Sequence, residues 1–205
     1  MSEKDNLNQQ YWQQRYEQNR TEWDVGGITP PLKSYIDQLP EKELSILVPG
    51  GGNGYEAEYL HQNGFTNVYL LDIAAAPLQN FQERLPMFPR HHLLQEDFFS
   101  LTAQQYDLVL EQTFFCALPR DLRAHYARQM FDLLKPNGKL AGVLFSVEFE
   151  KEGPPFGGSA LEYQAYFEPY FEFLRFEPCQ NSVKPRQGRE LFIELQRRSR
   201  PQFIA

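Results

Sequence analysis

The sequence predicts an α/β fold with a doubly wound, mostly parallel sheet of seven strands and a C-terminal antiparallel hairpin. Two observations predict this class. Short apolar runs of strand length alternate with amphipathic segments of helical period through residues 44–147, and a glycine-rich turn joins the first of these strands to the helix after it. Strands that alternate with helices require right-handed crossovers, which bring parallel strands into one sheet.

The length and charge of the chain limit its organisation and its partners. A chain of 205 residues fits a single domain, which would bury roughly 70% of the surface that the unfolded chain exposes. We therefore expect one domain over residues 1–205. The net charge of −7 and the pI of about 5.2 argue against nucleic acid, whose binders usually present a basic face. A small molecule is the expected partner.

Cysteine usage and hydropathy indicate where the protein works. The two cysteines, Cys116 and Cys179, are too few for a disulfide framework, and neither they nor the histidines have the spacing of a metal site. The N-terminus lacks an apolar signal core, and no stretch approaches the roughly 18 apolar residues that cross a bilayer. We expect a cytoplasmic protein that does not bind membranes. Its oligomeric state is left open, and a monomer is compatible with the sequence.

The elements can be predicted in order along the chain. Residues 6–19 form a helix with one aromatic face, followed by an irregular loop that carries Trp23 and by a short helix to Gln38. The later elements alternate as strand and helix: LSILVPG, a helix capped by Gly64, NVYLLD, APLQNFQERL, HHLLQED, YDLVLEQT, PRDLRAHYARQMFDLL and KLAGVLFSV. A helix at SALEYQAYF then precedes two strands, FEFLRFEPC and RELFIELQRR, which form the hairpin at the sheet edge.

The glycine turn is the first candidate binding element. Gly50, Gly52 and Gly54 let the backbone turn sharply between strand and helix and let a ligand approach it closely. Asp72 follows Gly54 by 18 residues, close to the offset of about 20 at which a carboxylate accepts hydrogen bonds from ribose hydroxyls. An ordinary glycine-rich turn is the alternative, but the strand before it and the acid in the same βαβ unit favour a nucleoside site.

The spacing of the glycines indicates which cofactor binds. A nicotinamide cofactor and S-adenosylmethionine both present a ribose at this position of the sheet. Here Tyr55 stands where a dinucleotide-binding turn has its third glycine, which serves a pyrophosphate less well. Because S-adenosylmethionine has no phosphate, it is the predicted cofactor.

The ends of the third and fourth strands complete the predicted cofactor site. Asp97 and Phe98 are placed to meet an adenine amino group and its ring, with a strand-end cap as the alternative for Asp97. Glu111 and Gln112, with Thr113, end the fourth strand at the crevice where open α/β sheets bind ligands. They are expected beside the methionine part of the cofactor.

Several segments resemble the thiopurine methyltransferase superfamily, and most closely its halide and thiol methyltransferase branch. They are VPGGGNGYE, LLDIA, EDFF, YDLVLEQTFFCALP, LLKPNGKL and EGPPFGGS. The resemblance extends from Trp12 to about Arg198. It implies a Rossmann-like core over residues 41–198 and a helical lid segment over residues 1–40. It also implies aromatic contacts to S-adenosylmethionine from Trp12, Tyr16 and Trp23, although these tryptophans could instead plug the core.

The chain departs from the family pattern at two positions. The family commonly has tryptophan at the position of Tyr16 and an aromatic residue or arginine at the position of Gln112. A third region, with Arg186, Arg189 and Glu190, resembles a family loop that faces the site, and a solvated charge cluster is its alternative.

The predicted reaction is methyl transfer from S-adenosylmethionine to a small soft nucleophile such as a thiol, sulfide, thiopurine-like thiol or halide. Such an acceptor arrives deprotonated, so no catalytic residue or metal has to be assigned. The expected substrate pocket is formed by Phe114, Phe115, Phe156 and Tyr163. Two alternatives remain at this point: a nicotinamide-dependent oxidoreductase, and a non-catalytic protein that uses the fold for binding.

Overall fold

The structure is a computed structural model that describes residues 7–102, 104–151 and 153–203. Expectations that fall on residues 1–6, at the start of the predicted lid segment, lie outside the described residues. The described helices are α1 (Gln9–Glu17), α2 (Pro30–Ile36), α3 (Tyr55–Gln62), α4 (Ala75–Arg84), α5 (Arg123–Leu133) and α6 (Ala160–Phe167). The strands are β1 (Ile46–Pro49), β2 (Val68–Asp72), β3 (Leu93–Gln95), β4 (Tyr106–Gln112), β5 (Leu134–Phe145), β6 (Phe171–Pro178) and β7 (Glu190–Arg197).

One seven-stranded sheet organises the molecule, in the order β3-β2-β1-β4-β5-β7-β6. Strands β1 to β5 pair in parallel, and β7 lies antiparallel between β5 and β6. The doubly wound sheet and the C-terminal hairpin predicted from the sequence are confirmed. Because the strand order reverses between β1 and β4, their carboxyl ends flank the crevice where such sheets bind ligands.

Two apolar layers hold the helices against the sheet. On one face, α5 and α6 pack on the sheet through buried aromatic side chains such as Tyr126 and Phe167. On the other face, residues of α2, α3 and α4, including Ile36, Leu60 and Phe81, cover β1 and β2. Burial on both faces explains why the parallel strands are continuous apolar runs rather than alternating ones. No helix among the described residues is long and apolar enough to cross a membrane.

Strand β5 begins earlier than the sequence predicts. The segment from Lys135 to Gly138 has turn chemistry and was expected to end the preceding helix before the strand. In the structure β5 starts at Leu134, and its pairing with β4 shifts register between Tyr106 and Leu108. Asn137 adopts φ 64°, a conformation that asparagine tolerates better than most residues, so the turn is absorbed as an irregularity within the strand.

Candidate active site

A cavity of about 640 Å³ opens at the carboxyl ends of the parallel strands. This volume lies in the range of about 300–1,000 Å³ that is usual for small-molecule sites. Eight of the residues predicted for the site line it: Trp12, Tyr16, Trp23, Gly50, Asp72, Asp97, Phe98 and Phe114. Gly52 and Gln112 line a smaller adjoining cavity. Strands β1 to β4 and the N-terminal segment therefore meet at one site.

The glycine turn between β1 and α3 is closed by backbone hydrogen bonds. Gly51 N–H donates to the Leu71 carbonyl over 3.1 Å, which ties the turn to β2. Gly52 has φ 54°, and a Cβ there would collide with the Tyr16 hydroxyl. Glycine is thus required both by the backbone conformation and by the close approach of the N-terminal helix.

Asp72 lies at the end of β2 and holds the turn in place. Its Oδ2 accepts a hydrogen bond from Gly52 N–H over 3.0 Å, and its Oδ1 accepts one from Ala74 N–H over 2.8 Å. Burial raises the pKa of this carboxyl to about 6, and the backbone donors act in the opposite direction. The acid lines the cavity and also braces the glycine turn.

Trp12, Tyr16 and Trp23 form an aromatic cluster over the cavity. Trp23 contacts Trp12 and Tyr16 edge to face, with ring centroids 5.6 and 5.9 Å apart. Both tryptophans are half-buried, and α1 has no fully buried residue. These tryptophans therefore line the cavity instead of plugging the core.

Helix α1 is fixed to the rest of the fold through a polar contact. Gln13 Oε1 accepts hydrogen bonds from the backbone N–H groups of Ala75 and Ala76, at 2.9 and 3.0 Å. These are among the free donors at the N-terminus of α4, which a side-chain oxygen can satisfy. Gln13 therefore holds the aromatic cluster in position over the glycine turn.

Asp97 and Phe98 follow β3 and line the main cavity. Asp97 Oδ1 accepts a hydrogen bond from Phe99 N–H over 2.9 Å, which caps a short 3₁₀ helix. Its side chain nevertheless lines the cavity, so it combines the capping role with a place in the site. Phe98 is buried and contacts Phe114 edge to face, with centroids 5.2 Å apart.

Glu111 and Gln112 are the last two residues of β4, and their side chains lie in different environments. Glu111 is completely buried, and its Oε1 accepts hydrogen bonds from the N–H groups of Phe114 and Phe115 at 2.8 and 3.0 Å. It therefore shapes the loop after β4 and does not line the cavity. Gln112 accepts a hydrogen bond from the Thr29 hydroxyl through Oε1 over 2.8 Å and faces the smaller cavity.

Four other predicted residues lie behind the cavity wall. Gly54 is the N-cap of α3, and a Cβ there would meet Leu70 and Phe81 at 2.6 Å, so glycine permits close packing of helix on strand. Phe115 and Tyr163 are buried in the apolar layer around α5 and α6, where Tyr163 Oη donates to a β5 carbonyl. Phe156 is buried in the loop after β5. These three residues do not line the cavity. Of the predicted substrate pocket, the structure places Phe114 at the cavity.

Arg186 lies in the site and not in a solvated charge cluster. It is 7% exposed, lines both cavities, and donates through Nη2 to the Trp23 carbonyl over 2.6 Å. Nη1 lies 3.6 Å from Glu190 Oε1 and makes no hydrogen bond within the described residues. Arg189, by contrast, is exposed.

The remaining lining residues were not assigned to the site from the sequence. They include Val25, Phe145, Pro154 and Pro155, which come from loops and a strand end far apart in the chain. Cys116 also lines the cavity, and burial raises the pKa of its thiol to about 12, so it stays protonated and unreactive.

Solved structures show which fold class the chain has. The chain resembles the crystal structure of Burkholderia thailandensis 1,6-didemethyltoxoflavin-N1-methyltransferase, which contains bound 1,6-didemethyltoxoflavin and S-adenosylhomocysteine. The TM-score is 0.74 at 14% identity, over 92% of this chain and 86% of that one. The likeness shows that the chain has the fold of the S-adenosylmethionine-dependent methyltransferases.

Sequence comparison defines the family within that class. The thiopurine S-methyltransferase (TPMT) family profile matches residues 7–197. The chain is 31% identical to probable thiol methyltransferase 2 of Arabidopsis thaliana, over 87% of this chain and 81% of that protein. It is 28% identical to thiocyanate methyltransferase 1 of Brassica oleracea, with the same coverage. The chain belongs to the thiopurine S-methyltransferase family.

The residues at the site fit the cofactor of this class. The glycine turn leaves no room for side chains at Gly50 and Gly52, while the amide nitrogen of Gln112 is buried without a partner among the described residues. The protein is an S-adenosylmethionine-dependent methyltransferase with a small-molecule substrate, as predicted from the sequence. The oxidoreductase and non-catalytic alternatives are set aside by the family match.

Proposed function

We propose that the enzyme transfers the methyl group of S-adenosylmethionine to a small sulfur nucleophile that arrives as an anion, such as a thiolate, hydrosulfide or thiocyanate. Halides are a second acceptor of the same charge. The observation that carries this proposal is the buried guanidinium of Arg186 at a mainly apolar part of the cavity wall. The names of the thiol and thiocyanate methyltransferases among its relatives agree with it.

Arg186 is suited to attract an anion. Its Nη1 is buried, has no hydrogen-bond acceptor within the described residues, and is the part of the side chain left available. Glu190 offsets part of the charge from 3.6 Å, but a hydrogen bond from a charged donor in a site shielded from water is among the stronger polar contacts in proteins. Phe145, Pro154 and Pro155 supply apolar surface in the same cavity, which suits a weakly hydrated, polarisable acceptor.

Within the described residues, the cavity has no uncommitted base for a neutral acceptor: burial raises the pKa of the Asp72 carboxyl to about 6, but both of its oxygens accept backbone hydrogen bonds. Neither histidine nor lysine is among the described residues that line it. Burial raises the pKa of the Cys116 thiol to about 12 and raises that of the Tyr16 hydroxyl further. A general base works best with a pKa near the working pH. An acceptor that is already ionised needs no such group.

Methyl transfer then depends on position. When bound, S-adenosylmethionine would supply an activated methyl group for direct transfer to the acceptor, leaving S-adenosylhomocysteine. We assign adenosine binding to Asp72, Asp97 and Phe98. Trp12 and Trp23 would cover the site and exclude water, which strengthens the electrostatic contacts inside it. Residues 1–40 serve as the lid segment of a single domain in this proposal.

The acidic chain and its two free cysteines bear on the partner and the location of the enzyme. A net charge of −7 disfavours nucleic acid as a partner, and Cys116 and Cys179 are unpaired thiols. We propose a cytoplasmic enzyme on these grounds.

Replacement of Arg186 tests the nature of the acceptor. Formation of S-adenosylhomocysteine should be measured with hydrosulfide, thiocyanate, iodide, small thiols, and a phenol and an amine as neutral acceptors. For Arg186→Met we expect KM for the anions to rise at least about tenfold, the effect of losing one charged hydrogen bond of about 1.5–3 kcal/mol. The affinity for S-adenosylhomocysteine should change much less.

Two further variants make this test specific. Arg186→Lys keeps the charge and should recover part of the lost affinity for anions, whereas Arg189→Met removes an exposed charge from the same loop and should behave as the wild type. Faster turnover of the phenol or amine than of every anion would reject the proposal. So would an unchanged KM for the anions in Arg186→Met.

A further inference from the structure

A second cavity, of about 50 Å³, lies between the glycine turn and the end of β4. It adjoins the main cavity, because Tyr16, Trp23, Gly50, Thr113 and Arg186 line both. Its own lining is more polar and includes the side chains of Asp24, Glu56 and Gln112. A space of this size beside a nucleoside site suits a short polar extension of the ligand.

Protein donors already engage two of the three carboxylates near this cavity. Asp24 Oδ2 accepts a hydrogen bond from Asn53 Nδ2 over 2.6 Å, and its Oδ1 accepts one from Gly26 N–H over 2.7 Å. Both oxygens of Asp72 accept backbone hydrogen bonds from Gly52 and Ala74. These two acids are therefore largely committed to holding the fold.

Glu56 is the third carboxylate near this cavity, and its hydrogen bonding differs from that of Asp24 and Asp72. It lies in the first turn of α3 and is 5% exposed, yet no other side chain among the described residues donates a hydrogen bond to it. Burial raises the pKa of this carboxyl to about 7, and the positive charge of Arg186 opposes part of that rise. Its own backbone N–H is a hydrogen-bond donor to it, and a buried acid with so little support is costly unless a ligand supplies a further partner.

One donor at the same cavity is also unused. Gln112 Oε1 is engaged by the Thr29 hydroxyl over 2.8 Å, which orients the amide. The Nε2 group is then left buried without an acceptor among the described residues. Besides Arg186 Nη1, which belongs to a residue that lines both cavities, the small cavity thus has, within the described part of the chain, one acid that no other side chain engages and one free amide donor.

We propose that Glu56 binds the α-ammonium group of S-adenosylmethionine while Gln112 Nε2 donates to its α-carboxylate. An acid and an amide donor match the two charged groups of an amino acid, and an ammonium ion beside Glu56 favours its charged form. This inference rests on the cofactor and not on the acceptor proposed above. It adds Glu56 to the cofactor-binding residues. It also gives Gln112, where the chain departs from the family pattern, a role in binding the carboxylate.

Three matched thioethers separate the two contacts by calorimetric binding in the absence of any acceptor. S-adenosylhomocysteine has both charged groups, its decarboxylated form keeps the ammonium group, and 5′-methylthioadenosine has neither. We expect Glu56→Gln to weaken the first two by about ten- to hundredfold and to leave 5′-methylthioadenosine within twofold. Gln112→Leu should weaken S-adenosylhomocysteine alone. Glu83→Gln, an exposed acid on α4, is the control and should change nothing.

The pattern across ligands distinguishes recognition from folding. An equal loss for all three ligands in Glu56→Gln would mean that Glu56 only supports the turn, and an unchanged affinity for S-adenosylhomocysteine would also overturn the proposal. If that variant does not fold, the wild type still decides. Equal affinities for the decarboxylated thioether and for 5′-methylthioadenosine would show that the ammonium group is not recognised. None of these outcomes depends on the acceptor.

Discussion

Glu111 shows how one buried side chain shapes the site without touching the cavity. One of its oxygens accepts the two N–H groups of the loop after β4, and the other accepts the Tyr126 hydroxyl. Burial raises its pKa from 4.5 to about 7, while these hydrogen bonds act in the opposite direction. The position of Phe114 on the cavity wall thus depends on an acid that the solvent does not reach.

The stability of a Glu111→Gln variant should reveal this pKa. Between pH 4.5 and about 7 the folded chain keeps the Glu111 proton that the unfolded chain has lost, so the contribution of Glu111 to stability falls as pH rises. Glutamine cannot titrate. The free energy of unfolding of the variant, relative to wild type, should therefore increase by roughly 2–3 kcal/mol across this window. Urea unfolding at several pH values measures it, and a difference that stays flat would contradict the assigned burial.

The sequence could predict some residues of the site better than others. Asp72 was identifiable because its distance from the glycine turn and its strand end are fixed by the βαβ unit. Glu56 was not, since an acid in the first turn of a helix is common wherever the helix dipole favours it. Arg186 comes from the far hairpin, and only the folded sheet brings it beside the turn.

At the scale of elements, helix α1 closes the site because it packs on the glycine turn. Gly52→Ala and Gly64→Ala both place a side chain at positive φ, 54° and 85° respectively, which costs about 1–2 kcal/mol. A Cβ at Gly64 has open space, whereas at Gly52 it meets the Tyr16 hydroxyl. We expect similar losses from backbone strain, but only Gly52→Ala should displace α1 and weaken S-adenosylhomocysteine binding at least about tenfold.

Thermal unfolding and calorimetry on the same two variants check this expectation. Equal affinities for S-adenosylhomocysteine would show that α1 does not depend on the fit between Tyr16 and the turn.

The order of helices and strands was predictable, but their ends were less so. Apolar runs and capping glycines such as Gly64 identify the buried strands and the helices between them. The early start of β5 was not evident, because Asn137 and Gly138 are also typical of a turn that ends a helix. Pairing with β4 decided the outcome, and pairing between distant segments is not visible in a local pattern.

For the whole molecule, Arg123 joins the helical layer to the cavity wall. It is 0% exposed and pairs through Nη1 with Glu162 of α6 over 2.8 Å. Its Nη2 donates to the carbonyls of Phe156 and Gly157 at 3.0 and 2.9 Å. One guanidinium on α5 therefore holds both α6 and the loop after β5.

Replacing this arginine should destabilise the entire fold. Arg123→Met leaves the half-buried Glu162 and two buried carbonyls without their donor, and each buried polar group left unsatisfied costs about 1–3 kcal/mol. Arg128→Met on the same helix removes an arginine that is 71% exposed, and it should change the free energy of unfolding by no more than about 0.5 kcal/mol. Urea unfolding curves compare the two, and equal losses would refute this role of Arg123.

The bonds of Arg123 also bear on how the acceptor range of such an enzyme can change. They hold the loop after β5 by main-chain carbonyls, which are present whatever side chains the loop carries. Side chains that this loop presents to the cavity can therefore vary while its backbone stays anchored and the glycine turn stays untouched. New acceptors could be explored, by evolution or by a designed library, with small effect on how the enzyme holds its methyl donor.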